Sequence, residues 1–505
     1  MKHLVRRCGV LLHPSSLAGR EGIGTLGEEA YQFIDLLSEA HVTLWQMLPL
    51  GPTGYGDSPY AARSSFAGNE LLIDLKELAS QGYLELDDVL NLPRQAAKRV
   101  DYGAVRQYKG PLLEKAAKTF LEKADLAGFR SFCKEQSWWL DDYALYAVLC
   151  RAYGDSRWFA AWPREVKMRE AQALAKVKVQ YADRILVEKV IQYFFDVQFL
   201  KVKRYANEKG VLLVGDIPIF VAGDSVDVWC NRRLFKLDAQ GNQKVSSGVP
   251  PDAFSADGQL WGNPMYNWEE HVREGWQWWT RRIQGALRYS DLVRLDHFRG
   301  FAACWEVPAG AETAREGKWV KVPGDSFFKH LHEVYGPELP FIAEDLGVIT
   351  PDVEALRTAN GLPGMKILQF AFGYDGQGGL DATSAYLPHN CEWQSVIYTG
   401  THDNNTTKGW YQSLDEGLRD KVRRYLECPD EQVVGQLVRA MLMSASRYAI
   451  LPMQDWLELG SEARMNVPST CGTSNWSWRL ESLEIEPWRV SHLREMIDLY
   501  GRTGK

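Results

Sequence analysis

Residues 292–297 read Leu-Val-Arg-Leu-Asp-His, a short apolar run that ends in an acidic residue and a histidine. Runs of this kind, rich in β-branched residues and closed by polar residues or glycine, are typical of buried parallel strands. Similar runs are Cys8 to His13, Leu44 to Leu50, Val211 to Phe220, Phe341 to Gly347, Met365 to Phe372, Val396 to His402 and Ala449 to Trp456. Together they make eight strands, which predict a closed (β/α)8 barrel rather than an open sheet.

Amphipathic segments lie between most of these strands, as the helices of such a barrel require. They are Glu28 to Ala40, Ile185 to Lys209, Trp268 to Leu287, Ser326 to Tyr335, Pro351 to Asn360 and Glu416 to Ser446. The predicted fold is therefore α/β: a (β/α)8 TIM barrel that spans residues 1–505 as a single unit. We expect large, mostly helical insertions between strands and no separate C-terminal β domain.

The strands are unevenly spaced along the chain. About 160 residues separate the second and third strands, where a minimal unit needs only one helix and two loops. Helical periodicity recurs there, over Tyr108 to Lys123, Leu126 to Gln136, Trp138 to Tyr153 and Glu165 to Ala182. Residues 51–185 are therefore predicted to form a helical insertion subdomain. Residues 221–268, rich in Gly, Pro, Asp and Trp, are predicted to form an active-site loop after strand three.

The composition excludes several classes of protein. The chain has 505 residues, of which 45% are hydrophobic and 24% charged, and these average values argue against a disordered or membrane protein. It also lacks the run of about 18 uncharged apolar residues that a membrane-spanning helix needs. The net charge of −7 lacks the basic excess of a nucleic-acid binder. We expect neither a membrane nor a nucleic acid as partner.

The cysteines indicate a reducing compartment. Eight are scattered along the chain, with no C-x-x-C pair and no cluster with histidines that would bind zinc. This pattern is typical of free thiols. The apolar run Cys8 to Leu12 is too short for the core of a secretory signal. The sequence therefore predicts a cytoplasmic protein.

Acidic residues follow three of the predicted strands: Asp296, Glu344 and Asp403. Barrel enzymes build their active sites at the carboxyl ends of the strands. A single acid there can also be the N-cap of the next helix. Three acids, with Arg294 on the same strand face as Asp296, instead favour a carboxylate cluster beside a cation. Two carboxylates about 5 Å apart can cleave a glycosidic bond with retention of configuration.

A series of motifs then resembles a known family in order and in spacing. They are His13–Leu17, Gly22–Gly24, Gly54–Tyr60, Gly215–Ile219, Gly248–Asp252, Trp261–Pro264, Val293–Gly300, Ala343–Gly347, Thr401–Asn404 and Met465–Pro468. Over nearly its whole length the chain resembles the 4-α-glucanotransferases called amylomaltases or disproportionating enzymes, glycoside hydrolase family 77 of the α-amylase superfamily. The resemblance implies transfer of α-1,4-glucan segments from a donor maltodextrin to the 4-OH of an acceptor glucan or glucose. It also implies a covalent glycosyl-enzyme, no metal and no organic cofactor. The partners would be α-1,4-glucans, and the protein a monomer or weak homo-oligomer.

The same resemblance implies a role for each acid. Asp296 would be the nucleophile, Glu344 the acid that then becomes the base, and Asp403 the carboxylate that stabilises the transition state. Arg294 would keep Asp296 ionised, because a nearby cation favours a charged carboxylate.

Further residues are predicted to bind the glucan. Tyr60 would stack on a sugar beside the scissile bond, His297 and His402 would hydrogen-bond sugar hydroxyls, and Asp216 would orient Arg294 or the substrate. The remaining candidates are Ser58, Asn263, Trp261 and Phe254 around the cleft, and Tyr55 and Tyr102 in a second glucan-binding groove. Ala253 departs from the family, some members of which carry a bulky aromatic residue there.

Three alternative functions have to be considered. An amylase-like hydrolase would use the same three carboxylates with water as acceptor. A glucan-binding module would keep the aromatic residues without needing the acids. Residues 22–27 match G-x-G-x-x-G, the fingerprint of an NAD-dependent oxidoreductase, but they begin nine residues after a strand rather than directly after it. The segment Leu44 to Leu50 also ends without the acidic residue that would bind the ribose.

Overall fold

The computed structural model describes residues 5–93, 98–251, 255–375 and 377–505. The strands in these ranges are β1 (Arg7–Leu11), β2 (Leu44–Gln46), β3 (Leu212–Ile217), β4 (Val245–Val249), β5 (Gln259–Pro264), β6 (Leu292–Leu295), β7 (Ala303–Pro308), β8 (Lys318–Lys321), β9 (Phe341–Ala343), β10 (Gly364–Ile367), β11 (Ser395–Tyr398) and β12 (Tyr448–Pro452). Eight of them form a closed parallel barrel in the order β1-β12-β11-β10-β9-β6-β3-β2. The predicted (β/α)8 barrel is confirmed, and each predicted strand corresponds to one barrel strand.

Several barrel strands end earlier than predicted. β3 ends at Ile217 rather than Phe220, because Pro218 has no N–H to donate to a neighbouring strand. β6 ends at Leu295 rather than His297, because His297 adopts a left-handed conformation with φ 49°. These early ends turn the chain into the barrel mouth just where the polar residues follow.

Helices surround the barrel and fill the long insertion. In chain order they are α1 (Glu28–Glu39), α2 (Leu75–Ser80), α3 (Leu86–Leu90), α4 (Tyr102–Lys123), α5 (Ala127–Glu135), α6 (Ser137–Tyr153), α7 (Trp158–Ala161), α8 (Arg164–Lys167), α9 (Ala171–Gln180), α10 (Ala182–Glu208), α11 (Val226–Cys230), α12 (Trp268–Arg273), α13 (Gln277–Tyr289), α14 (Gly324–Tyr335), α15 (Pro351–Ala359), α16 (Thr407–Ser413), α17 (Glu416–Leu426), α18 (Val433–Met443), α19 (Met453–Trp456) and α20 (Pro487–Leu499). The described residues after β12 form helices and no strand, as predicted.

Three predicted continuous helices are wrong in detail. The segment 268–287 is two helices, α12 and α13, because Gly275 and Trp276 between them both take positive φ angles. The segment 416–446 is divided into α17 and α18 at Glu427, whose φ is 52°, and Pro429. The segment 165–182 is divided between α8 and α9, where Arg169 also has a positive φ. Left-handed residues of this kind stop a helix, and amphipathic periodicity does not reveal them.

The insertion between β2 and β3 is attached to the barrel through the long helix α10. The side-chain amide of Gln192 accepts from the N–H of Gly68 at 2.8 Å and donates to its carbonyl at 3.0 Å. Gln198, further along α10, makes the same pair of bonds with the backbone of Asp74, at 2.7 and 3.1 Å. Both amides are buried. They fix the extended segment that follows Tyr60 against the outer wall of the barrel.

A second sheet was not predicted. β4, β5, β7 and β8 form an antiparallel sheet in the order β5-β4-β7-β8, so the segment 221–268 contains strands as well as loop. Its strands are short and contain many polar or small residues; β4 reads Val-Ser-Ser-Gly-Val. β4 pairs with β7, where Gly248 faces Trp305, so its stability depends on distant partners. The sheet places the residues around Trp261 at the mouth of the barrel.

The apolar core runs through the barrel and continues beneath the second sheet. Barrel and helix residues such as Phe33, Trp45 and Phe199 are fully buried, and an aromatic group around Tyr266 and Trp279 is buried between β3 and α13. Within the described ranges, no helix has both the length and the apolar character needed to cross a membrane.

Candidate active site

Arg294 lies between two carboxylates at the carboxyl ends of β3 and β6. Its Nη1 donates to both oxygens of Asp216, at 3.0 and 2.8 Å, and lies 2.8 Å from Oδ1 of Asp296. The register explains this contact, because Asp216 on β3 faces Arg294 directly and Asp296 is two residues further along the same strand direction. Asp216 and Arg294 are buried, whereas 26% of the Asp296 side chain is exposed. One cation therefore pairs with an internal carboxylate and with an accessible one.

Glu344 directly follows β9, the strand that pairs with β6 at Leu295 and Ala343. Its N–H donates to the carbonyl of Leu295, and its two carboxyl oxygens accept the N–H groups of His297 at 2.6 Å and Leu346 at 3.0 Å. Burial and the negative charge of Asp296 raise the pKa of Glu344 to about 8, against the opposing effects of Arg294 and the two N–H donors. Glu344 is therefore protonated near neutral pH beside a carboxylate that is paired with a cation.

The left-handed backbone of His297 turns its N–H toward Glu344. Its ring lies edge-on to Trp261, with centroids 4.8 Å apart, and 6.5 Å from the ring of Phe220. Burial lowers the pKa of His297 to about 4, so its imidazole is neutral above that pH and has one N–H donor and one acceptor. Trp261 itself is 39% exposed. This aromatic wall stands beside Asp296 and Glu344.

Asp403 lies in the segment between β11 and α16. Its Oδ1 accepts from the side-chain amide of Asn466 at 2.6 Å, and its backbone carbonyl accepts from Arg464 at 2.7 Å. Nε2 of the preceding His402 is 3.5 Å from Oδ2 of Asp403. Because 45% of the Asp403 side chain is exposed, its carboxylate remains accessible from the cleft.

Tyr60 connects the β2 exit to both sides of this site. Its hydroxyl donates to Oδ2 of Asp216 at 2.7 Å. Its ring is stacked on His402, with centroids 5.2 Å apart and planes at 12°, and Trp476 packs beside both rings. Burial also lowers the pKa of His402, which favours its neutral form. The structure thus brings Tyr60 together with the residues predicted around Asp296 and Asp403.

The other predicted binding residues make contacts within the protein that differ from one residue to the next. Oγ of Ser58 accepts the N–H of Tyr60 and caps the short turn that carries it. The amide of Asn263 donates to the carbonyl of Val221 and accepts from Ser247, so it joins β4 of the second sheet to the segment that follows β3. Phe254 and the departure at Ala253 lie outside the described residues.

The two tyrosines of the predicted second groove differ in exposure. Tyr55 is 84% exposed, on the turn before Tyr60. Tyr102 is buried, and its hydroxyl donates to the carbonyl of Trp476 at 2.8 Å. The proposed second groove therefore stays a prediction, in which Tyr55 offers an open ring and Tyr102, at the start of α4, only a small exposed part of its side chain.

Several residues in direct contact with the site were not predicted. They are Asn466, Arg464, Trp476 and Phe220. Asn466 could have been predicted, because it lies in the motif Met465–Pro468. Trp476 could not, because nothing in the sequence distinguishes it from the other tryptophans, of which the chain has 19 in all. Among the described residues, no group of three or more His, Cys, Asp or Glu side chains is arranged to hold a metal ion.

A parallel barrel whose strand ends present a paired carboxylate, a protonated carboxyl and a third acid is the arrangement of a barrel enzyme that acts on glycosidic bonds. Comparisons with known proteins agree with this class. The family model described as 4-alpha-glucanotransferase matches residues 12–484. The 4-alpha-glucanotransferase of Thermus thermophilus is 46% identical over 98% of this chain and 99% of its own length. That of Streptococcus pneumoniae (strain TIGR4) is 45% identical over 99% and 98%, respectively.

The structural match is equally extensive. Amylomaltase from Streptococcus agalactiae, solved in complex with acarbose, superposes with a TM-score of 0.94 and 39% identity, covering 99% of this chain and 100% of that one. The chain belongs to the 4-alpha-glucanotransferase family. It is therefore a transferase of the glycosyltransferase class, and neither the hydrolase nor the oxidoreductase alternative is favoured.

Proposed function

We propose that the chain transfers α-1,4-glucan segments from a donor maltodextrin to the 4-OH of an acceptor glucan or glucose. Asp296 acts as the nucleophile, Glu344 as the acid and then the base, and Asp403 as the carboxylate that stabilises the transition state. The observation that carries this proposal is the pairing of Asp296 with Arg294 beside a Glu344 whose pKa is raised to about 8. Two neighbouring carboxyl groups with opposite protonation states are what double displacement requires.

Transfer takes two steps, and in each of them one bond to C1 forms while another breaks. In the first, Asp296 attacks C1 of the donor sugar, the C1–O4 bond breaks, and Glu344 gives its proton to the leaving O4. In the second, Glu344 removes the proton from the acceptor 4-OH, whose oxygen attacks C1 and releases Asp296. C1 is inverted twice, so the new linkage is again α.

Whether transfer or hydrolysis dominates depends on what reaches the glycosyl-enzyme. Trp261 on β5 lies edge-on to His297, the residue after the nucleophile, and is partly exposed. Tyr60 and Trp476 border the opposite side, near Asp403. Flat aromatic surfaces favour a sugar ring over water at this position, because they bury the apolar C–H faces of the ring. These walls support transfer.

Product analysis on maltotriose tests this proposal. We expect glucose together with a ladder of longer maltodextrins, while the number of reducing ends stays nearly constant, since each bond broken is matched by one made. A rise in reducing ends in step with substrate loss would identify a hydrolase. Addition of glucose as acceptor should shorten the ladder, and the total of reducing ends, which now includes the added glucose, should again stay constant during the reaction.

The pH dependence of transfer follows from Glu344. Its pKa is raised to about 8, so the proton needed for the first step is present below that pH and is lost above it. We expect kcat/KM to fall about tenfold per pH unit on the alkaline side, with a midpoint near this value. The check is a pH series on maltotriose, with Tm measured at each pH to exclude unfolding. A midpoint near about 4.3, the ordinary value for glutamic acid, would contradict the assignment.

Tyr60 permits a paired test of stacking against hydrogen bonding. Tyr60→Phe keeps the ring stacked on His402 but removes the bond to Asp216, whereas Tyr60→Ala removes both. We expect Tyr60→Ala to lower kcat/KM for maltotriose by an amount equivalent to about 1 to 3 kcal/mol of activation free energy, a range taken from base stacking on aromatic residues. Tyr60→Phe should lower kcat/KM by less. Equal kcat/KM in wild type and a folded Tyr60→Ala would assign Tyr60 to packing alone.

Other features of the protein belong to the same proposal. The glucan would extend from the barrel mouth toward the exposed Tyr55, which we propose as a secondary contact for long chains. A cytoplasmic location is supported by the eight cysteines, which are all free thiols in the structure. We propose that the protein works as a monomer or weak homo-oligomer, without a metal or organic cofactor.

A further inference from the structure

Asp455 is a buried carboxylate just behind the site. It lies in α19, directly after β12, and is 2% exposed. Its Oδ2 accepts from the hydroxyls of Thr399 at 2.5 Å and Thr407 at 2.6 Å, and its Oδ1 accepts from the backbone N–H of Thr407 at 2.7 Å. Both threonines are fully buried. All three donors are neutral, although a buried carboxylate is usually stabilised by a cation.

The two threonines mark the ends of one segment. Thr399 directly follows β11, and Thr407 is the first residue of α16. The residues between them include His402 and Asp403, the exposed acid of the site. A single carboxylate on the neighbouring strand unit therefore bonds to both ends of the segment that carries Asp403.

This segment also contains hydrogen bonds of its own. Oδ1 of Asn404 accepts from the N–H of Thr401 at 2.9 Å and from its hydroxyl at 2.8 Å, which closes a tight turn around Asp403. Because the turn is internally fixed, the position of Asp403 depends on how the whole segment is attached. Asp455 attaches its two ends, while Asn466 and Arg464 bond to Asp403 itself at 2.6 and 2.7 Å.

Helix capping explains only one of the three bonds of Asp455, the one to the N–H of Thr407 in the first turn of α16. The N-cap of α16 is Thr406, whose hydroxyl already accepts the N–H of Gly409. Asp455 instead reaches α16 from another strand unit. A buried carboxylate held by neutral donors costs folding free energy, which is offset only if its hydrogen bonds are all satisfied.

We propose that Asp455 is a positioning residue for Asp403, which sets where that carboxylate stands during glycosyl transfer by holding both ends of its segment. The inference rests on the proposed function. It does not make Asp455 a catalytic residue, since its carboxylate is enclosed by Thr399 and Thr407 and does not face the cleft. A displacement of about 1 Å at a reacting group costs on the order of 100-fold in rate.

Four variants test this proposal: Asp455→Ala, Asp455→Asn, Thr399→Val and Asp403→Asn. We expect Asp455→Ala to lower kcat on maltotriose about 30- to 100-fold, with KM changed by less than about threefold. Asp455→Asn, which keeps an oxygen for the Thr407 N–H, should restore much of the rate. Thr399→Val should lose about three- to tenfold, because the other two bonds remain. If Asp455→Ala does not fold, the comparison uses the two milder variants.

The decisive readout is coupling to Asp403. The Asp455 and Thr399 variants are made both with Asp403 present and in an Asp403→Asn background, where position 403 has no carboxylate. The rates in both backgrounds are measured with an activated donor such as α-maltosyl fluoride. We expect the rate losses to shrink to less than about twofold in the Asp403→Asn background, because residues in one network are not additive. A matched control is Asp196→Ala, another buried carboxylate, which pairs with Arg288 and Tyr289 on the outer wall of the barrel. It should lower Tm and show no coupling.

Three outcomes would overturn the proposal. Equal losses in both backgrounds would make Asp455 a residue of general stability. A lowered Tm with unchanged kcat would do the same. An Asp403→Asn variant as active as wild type would defeat the role proposed for Asp403 itself, and the positioning role with it. The first of these outcomes, found with an impaired Asp403→Asn variant, would defeat the positioning role alone.

Discussion

Asp296→Ala is expected to abolish transfer while leaving the barrel folded. The backbone N–H of Asp296 bonds to the carbonyl of Ile217 whatever the side chain, and Arg294 keeps Asp216 as a partner. The side chain is partly exposed, so its removal opens no cavity in the core. Loss of a covalent nucleophile should reduce turnover to below about one part in a thousand, equivalent to more than about 4 kcal/mol of activation free energy.

The measurement is the rate of glucose release from maltotriose, with Tm recorded on the same preparation. Asp420→Ala provides a matched control, because Asp420 is a half-exposed acid on α17 that pairs with Arg424 at 2.9 Å, well away from the strand ends. That variant should keep full activity. Residual transfer above about one part in a thousand by a folded Asp296→Ala protein would point to a different nucleophile.

Glu344→Gln is expected to block ordinary donors yet allow the first step with activated ones. Maltotriose needs a proton on its leaving oxygen, which the amide does not supply, so its turnover should fall about 100- to 10,000-fold. The fluoride ion of a glycosyl fluoride leaves without being protonated, so C1 of that donor should still react with Asp296. The second step lacks its base, so the glycosyl-enzyme should accumulate, and mass spectrometry of the intact protein should show the added sugar.

The double variant Asp296→Ala/Glu344→Gln is the control, and it should gain no mass. If Glu344→Gln alone gains none, another group is the acid. A small loss of stability is also expected, because both oxygens of Glu344 accept backbone N–H groups and the amide nitrogen replaces one of them. An unsatisfied donor of this kind costs about 1 to 3 kcal/mol, which a thermal melt will measure.

The barrel could be predicted from the sequence because its strands are buried on both faces. Such strands appear as apolar runs wherever they pair, and eight of them identify the fold. The antiparallel sheet could not be predicted in the same way. Its strand β8 reads Lys-Trp-Val-Lys, which is stabilised by pairing with β7 rather than by local preference. The helix breaks were missed for the related reason that a left-handed residue such as Trp276 keeps its apolar character.

The acids of the site were accessible to sequence reasoning because each follows a strand. For Asp216 the sequence left open whether it would orient Arg294 or the substrate, and the structure pairs it with Arg294 across neighbouring strands. The contacts of Tyr60 with His402 and Trp476 could not be predicted, because they depend on loops from three distant parts of the chain. Asp455 falls within the predicted strand Ala449 to Trp456, which ends at Pro452 in the structure, and its bonds to Thr399 and Thr407 join segments that are distant along the chain.

The seam between β1 and β12 has a consequence for biosynthesis. It pairs Cys8 with Ala449, residues roughly 440 positions apart, and the backbone N–H of Cys8 also donates to the carbonyl of Arg502. At about 5 to 20 residues per second, a ribosome needs roughly 20 to 90 seconds to make the intervening chain. During that time the free edge of β1 has no barrel partner on one side and resembles the exposed edges on which nascent chains aggregate. The barrel therefore cannot close, and a newly made molecule cannot become active, before the Tyr448–Pro452 strand has been synthesised.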